Sequence, residues 1–509
     1  MNVTALLFAS AIAFVPLDDR PVTRQLPQML GQIAGVQVLE PPRALLGNYL
    51  TFGKPDAIAG WLNSGPASRA GAFVLSTDML AYGGLVASRV PGTTYADAYF
   101  RLRELAQLRS AHPRAWTGAF GTIMRLAPTG IPPIGPAANF FAPYPQWQYL
   151  QNYANLHDPP LPSEEPSARN LRATIAPGVL QAYLGTRLRN YQVDRLAVGY
   201  VRSGAVDRLV LGQDDAGAVG LHVRDVRALQ QAVRDDGVQD RVSIEPGADE
   251  LGMALVSRAL AQEAHWTPQV RVEYSRVGGW GYRDPLEFAP ISVAIDALVG
   301  LCGGARNDAS PDVVLYVRVP YDTPAEDAAF EAQMRSDENA GVSIALADLS
   351  FLSGGYDRQA AFAERLLADG TAGRLDAYSS WNTNANTAGT AIAEAVAAGA
   401  GRRLGSYDAL AHKTFTFNRL VDDYAFHDYV RPQLNDLLSA HGVQDHTYLL
   451  PPDAALASEY NRAALWNRAA AILPQLYPGY HIAAMNVTLP WNRTFETEID
   501  VALAAGVSR

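Results

Sequence analysis

The chain has 509 residues, 48% of them hydrophobic and 18% charged, which is a globular composition with material for a sizeable core. At roughly 150 residues per domain, the length suits about three units. There are 41 Lys and Arg against 51 Asp and Glu, a net charge of −10, and no basic run that would give a nucleic-acid footprint.

Lysine occurs only at Lys54 and Lys413, and neither follows a glycine-rich phosphate loop, which excludes a Walker-type NTPase. Cys302 is the only cysteine, so an intrachain disulfide and a multi-cysteine zinc site are both excluded. It reads as a small core residue.

The N-terminus is apolar through Val15, with small residues at Ala9, Ser10 and Ala11. It lacks the Lys or Arg that opens a signal peptide. Two expectations stand side by side: export or a periplasmic location, with the stretch as a leader, and a cytoplasmic location, with Ile12–Leu17 as a first buried strand. No other run reaches the ~18 residues of a membrane span.

Ten short apolar runs follow one another: 12–17, 36–39, 72–75, 117–124, 208–211, 242–244, 270–274, 313–319, 342–346 and 375–378. Runs without alternation suit strands buried on both faces. Between them, residues 99–110, 223–235 and 251–263 carry helical spacing. Strand and helix alternate, so the expected class is α/β, with mainly parallel sheets and flanking helices. The expected division is a first α/β domain at 1–267, a smaller one at 268–404, and a helical part at 405–509. That last part ends in two strands around Pro490–Arg493. A closed, TIM-barrel-like arrangement over 12–380 is the alternative. Residues 128–162 read as a loop rich in proline and aromatics, either a lid or substrate wall or a self-packed surface loop.

Ligands in parallel α/β folds bind at the carboxyl ends of strands, so the residues just after each run are the candidates. The first run leads into Asp18, Asp19 and Arg20 between two prolines. The third leads to Asp78 and Tyr82. The fourth ends at Arg125, which needs an anionic partner that Asp18 or Asp19 could supply. The fifth leads to Gln213, Asp214 and Asp215, and the sixth to Asp249 and Glu250. Later runs add Asp348 and a polar stretch with Trp381, Asn382, Asn384 and Asn386, ahead of a helix expected from about 388 to 400.

Acids recurring after several strands can have their pKa values driven apart, which yields a proton donor and a nucleophile or base. Asp214, Asp215, Asp249 and Glu250 are the candidate catalytic acids. Asp18, Asp19, Arg20, Asp78, Tyr82, Arg125, Gln213, Asp348, Trp381, Asn382, Asn384 and Asn386 are candidate substrate ligands. Removing the Asp214 charge should abolish turnover and leave stability nearly unchanged. No nucleophile elbow, zinc-protease motif or EF-hand loop occurs. No cofactor is expected, although Asp18, Asp214 and Asp249 leave a divalent cation open.

Several segments together resemble one bacterial family, known as domain of unknown function 4127. They are PLDDRPVTRQLP at 16–27, LSTDMLAYGGLVASR at 75–89, MRLAPT at 124–129, LGQDDAGAVGLH at 211–222, EPGADELGM at 245–253, WNTNANTAGTA at 381–391 and LPWNRTFE at 489–496. The resemblance implies one integrated unit and brings no activity with it. The residues themselves favour a hydrolase acting on a glycosidic bond or another carbohydrate-derived substrate. The alternatives are a metal-dependent hydrolase using the same carboxylates and a non-catalytic glycan-binding protein. The expected partner is a small molecule or glycan, with no nucleic acid and no membrane span.

Overall fold

The computed structural model describes residues 11–129, 146–350 and 360–506. Each of the ten apolar runs contains a strand. Six form the first sheet: β1 (Ile12–Val15), β2 (Val38–Leu39), β3 (Ala72–Ser76), β4 (Trp116–Ile123), β5 (Arg208–Gln213) and β6 (Val242–Pro246). Five form the second: β7 (Gln269–Tyr274), β8 (Ala305–Arg306), β9 (Val313–Arg318), β10 (Ser343–Asp348) and β11 (Ala377–Ser379). All pairings in both sheets are parallel. The sequence does not announce β8, because this edge strand is two residues long and exposed.

The strand orders are β2-β1-β3-β4-β5-β6 and β8-β7-β9-β10-β11. Each sheet begins at an inner strand, steps to one edge, returns, and then winds outward. The second sheet thus repeats the order of the first, without a sequence repeat. Both sheets are open, which excludes the closed barrel.

The helix Leu251–Glu263 packs on the first sheet, and the helix Asn384–Leu404 packs on the second and against the first helix. One apolar cluster runs from Phe14, Phe120 and Val210 through these helices to Val272, Leu315 and Ala347. Every residue of Asn384–Gly401 is buried, and its alanines let the neighbouring layers approach closely. This helix starts four residues before the expected position because Thr383 caps it, its side chain accepting from the Asn386 N–H. Cys302 lies buried in the same core.

Helical spacing in 99–110 resolves into two abutting helices, Tyr95–Leu102 and Glu104–Ala111. Leu102, Leu105 and Leu108 are all buried, so the apolar face holds across the break. Part of the expected aromatic loop is the helix Gln146–Ala154, with Leu150 and Tyr153 turned inward. Residues 130–145 of that loop, and the start of the N-terminal apolar stretch, lie outside the described residues. No described helix is long and apolar enough to cross a membrane.

Past residue 405 the chain is helical, including a π-helical stretch over Leu420–Val430, before β12 (Tyr480–Thr488) and β13 (Glu498–Ala505) pair antiparallel. The connection between β12 and β13 folds back onto the first sheet, where the Trp491 indole N–H donates to Asp19 (2.7 Å).

Candidate functional site

A cavity of about 340 Å³ opens beyond the carboxyl ends of β1, β4, β5 and β6. The start of the helix Asn384–Leu404 supplies one wall through Asn382, Thr383 and Asn386. The C-terminal part supplies another through Arg431, Trp491, Arg493 and Phe495. Three parts of the chain therefore meet in one cleft.

Asp214 and Asp215 both line it. In an extended chain only one of two neighbours would face the same side. Here β5 ends at Gln213, and Asp215 has φ of 21°, so the backbone turns and both carboxyls reach the cavity. Asn382 (φ 54°) and Trp491 (φ 60°) line the same cavity, also in the left-handed region. Such backbone is costly for non-glycine residues and collects at functional sites.

Gly212 explains why the floor can close. A Cβ there would lie 2.2 Å from the Gly247 carbonyl oxygen and 2.6 Å from a Leu251 methyl. The β6 turn can cross the end of β5 only over a residue without a side chain. That turn delivers Asp249 to the same cavity as Asp214.

Arginines hold two of the acids. Arg89 donates to both Asp214 oxygens, at 2.8 and 2.7 Å. Arg20 donates to both Asp249 oxygens, at 3.0 and 2.6 Å, and also grips Asp18. These two-point pairs fix charged carboxylates in orientation. Asp215 differs. It faces Arg125 at 3.6 Å, beyond hydrogen-bonding distance, and its side chain is 35% exposed. Burial, followed by the neighbouring Asp214 charge, raises its pKa to about 6. Glu287 also lines the cavity. It accepts from the Ala385 N–H (2.6 Å), and burial raises it to about 8.

Of the residues expected from the sequence, Arg20, Arg125, Gln213, Asp214, Asp215, Asp249, Asn382 and Asn386 line the cavity. The others do not. Glu250 is buried behind Asn386, whose amide donates to it, and burial raises its pKa to about 8. Asp18 binds Arg20, and Asp19 binds Arg43, Asn48 and Trp491. Asp78 accepts from the Thr122 N–H and hydroxyl, and burial raises its pKa to about 7. Tyr82 lies under the Arg189 guanidinium, 4.5 Å from the ring centre. Asp348 pairs with Arg318 (3.2 Å) at the second sheet. The Trp381 indole donates to Thr390 inside the core, and Asn384 is buried in the first turn of its helix. Arg125 takes neither Asp18 nor Asp19 as partner, because Arg20, Arg43 and Trp491 already occupy them.

Among the described residues, no group of three or more His, Cys, Asp or Glu is arranged to hold a metal ion. Asp18 and Asp249 share the guanidinium of Arg20, and Asp214 holds that of Arg89. The sequence reading missed Arg89, Glu287, Arg431, Trp491, Arg493 and Phe495. Arg89 and the last three sit in segments that carry the family resemblance, and Trp491–Phe495 forms an Arg and aromatic cluster between two strands.

Fold and site together define an α/β protein of two doubly wound parallel sheets, with an arginine-rich and carboxylate-rich cleft closed by its C-terminal part. The chain belongs to the family described as protein of unknown function DUF4127, whose model matches residues 12–500. Among curated proteins and among solved structures, nothing matches it.

Proposed function

We propose that the protein is a hydrolase acting on a glycosidic bond of a carbohydrate-derived substrate, with Asp215 as proton donor and Asp249 as the charged carboxylate that works with it. One observation carries this reading: Asp249 and Asp215 face one cavity in opposite electrostatic situations. The first is held by the two-point Arg20 pair, and the second is raised to about 6, its facing guanidinium, Arg125, standing 3.6 Å away and beyond hydrogen-bonding distance. Carboxyls separated in this way can divide acid and base roles. Glu250 is withdrawn from the cavity, which leaves Asp249 as the acid contributed by β6.

The walls fit the substrate class. Asn382 brings an amide to the wall, and the Trp491 and Phe495 rings are covered by guanidiniums, Arg20 and Arg493 over the first and Arg431 and Arg493 over the second, so the wall offers polar groups to hydroxyls rather than bare ring faces. At about 340 Å³ the cavity is at the small end of ligand pockets (~300–1,000 Å³), which suits a terminal ring or a small glycoside.

The test is hydrolysis of a panel of nitrophenyl glycosides, both neutral and acidic. Turnover of at least one is expected. Asp215→Asn should lower kcat only modestly on these glycosides, whose nitrophenolate departs unprotonated, and by roughly 10²–10⁴ on an alkyl glycoside of the same sugar, the contribution of a positioned general acid. Binding without turnover across the panel would contradict the hydrolase reading and favour a glycan-binding protein.

A further inference from the structure

Five arginines line the cavity, Arg20, Arg89, Arg125, Arg431 and Arg493, against four acids, Asp214, Asp215, Asp249 and Glu287. A chain with a net charge of −10 thus gathers five guanidiniums in one chamber. Three of the guanidiniums are committed. Arg20 holds Asp18 and Asp249, Arg89 holds Asp214, and Arg493 holds Glu496.

Arg125 is in a different position. Its Nε donates to the Ala127 carbonyl (3.1 Å), and its nearest carboxylate, Asp215, stands 3.6 Å away. Its side chain is 22% exposed. Burial and the like charge of Arg89 both disfavour its cation. Asp214 and Asp215 offset part of this, but neither forms a hydrogen bond with the guanidinium, and an incoming anion in direct contact would compensate it more fully. The Gln213 carboxamide oxygen, buried at the same wall, has no hydrogen-bond partner, which marks a second polar group awaiting a donor. The amino-terminal ends of the helices Leu251–Glu263 and Asn384–Leu404 add positive potential, since Ala248, Asp249, Thr383 and Asn386 all line the chamber.

Resting on the glycosidase reading, we propose that the bound sugar carries an oxyanion, a ring carboxylate or a phosphate or sulfate ester, seated against Arg125. The remaining hydroxyls of such a ring meet Gln213 and the wall at Asn382. Arg125 faces Asp215 at 3.6 Å, but sugar binding and bond cleavage are read by different measurements, so the two claims fail distinguishably.

The experiment is titration calorimetry of the full chain with glucose, glucuronate, glucose 6-phosphate and glucose 6-sulfate, at low and at high salt. At least one acidic sugar should bind ~10-fold or more tighter than glucose, and the preference should shrink in salt. Which acidic sugar prevails identifies the oxyanion. Arg125→Gln should weaken the acidic sugar by roughly 10- to 100-fold and leave glucose nearly unchanged. Arg125→Lys, which keeps the charge and loses the fork, should fall between the two. Equal binding of glucose and all three acids by the wild-type protein would overturn the proposal without any variant, and so would an Arg125→Gln protein that folds and keeps the preference. A neutral glycoside cleaved faster than every acidic one would overturn the oxyanion alone. Oxyanion binding with no glycoside cleaved would support the oxyanion and remove the hydrolase.

Discussion

Asp214 and Asp215 are chain neighbours with different prospects. Asp214 is buried, with both oxygens on Arg89. Removing one partner of such a pair leaves the other charge uncompensated, at about 3–5 kcal/mol. Asp214→Asn should therefore lower the melting temperature markedly, in contrast with the stability-neutral outcome expected from sequence. Thermal unfolding beside Asp215→Asn checks this, and the second variant should lose far less stability. The raised acids carry a pH signature as well. Glu250 and Glu287 stand at about 8 when folded, against an ordinary 4.5. Between those values the unfolded chain has already released protons that the folded one retains. Their stabilising contribution is complete below about 4.5 and is lost as pH rises through 8. Urea unfolding should show stability falling from pH 5 to pH 8, by on the order of 1 kcal/mol per unit for each group. Glu287→Gln should flatten that slope.

At the scale of elements, the end of β5 shows how a glycine positions a site. A methyl group at Gly212 would meet the Gly247 carbonyl at 2.2 Å, so the turn that carries Asp249 would have to lift. Gly212→Ala should cost about 1–3 kcal/mol and weaken turnover by displacing Asp249 from Asp215. Denaturation and kcat on the same preparation measure both effects. Strands were legible because runs buried on both faces need no alternation, and their acidic ends mark the sheet's carboxyl edge. Register with distant partners was not legible. Arg89 and Asp214 lie 125 residues apart, and nothing local in either predicts their pairing. Helix starts were legible only approximately. Asn384 and Asn386 read as a polar approach to a helix, yet Thr383 caps it earlier and takes both into the first turn. Trp381 has the composition of a sugar platform, but its indole serves the core through Thr390.

Over the whole molecule, two sheets of matching strand order are fused through one helical layer, and the C-terminal hairpin closes the cleft they form. The apolar runs foretold the parallel sheets and the helical C-terminal part. They could not foretell that residues around 491 return to the first sheet, because that contact depends on a left-handed turn at Trp491 and Asn492 and on the reach of the Trp491 indole to Asp19. The central claim is that this shared cleft cleaves a glycosidic bond with Asp215 as proton donor. The most direct test compares Asp215→Asn with wild type on two glycosides of one sugar, one with an acidic phenol leaving group and one with a basic alcohol. A missing proton donor should cost roughly 10²–10⁴ in rate with the alcohol and far less with the phenol, which departs unprotonated. The wild type should show kcat/KM declining above about pH 6, where Asp215 loses its proton, and the variant should not. Equal losses on both glycosides, or an unchanged pH profile, would contradict the assignment.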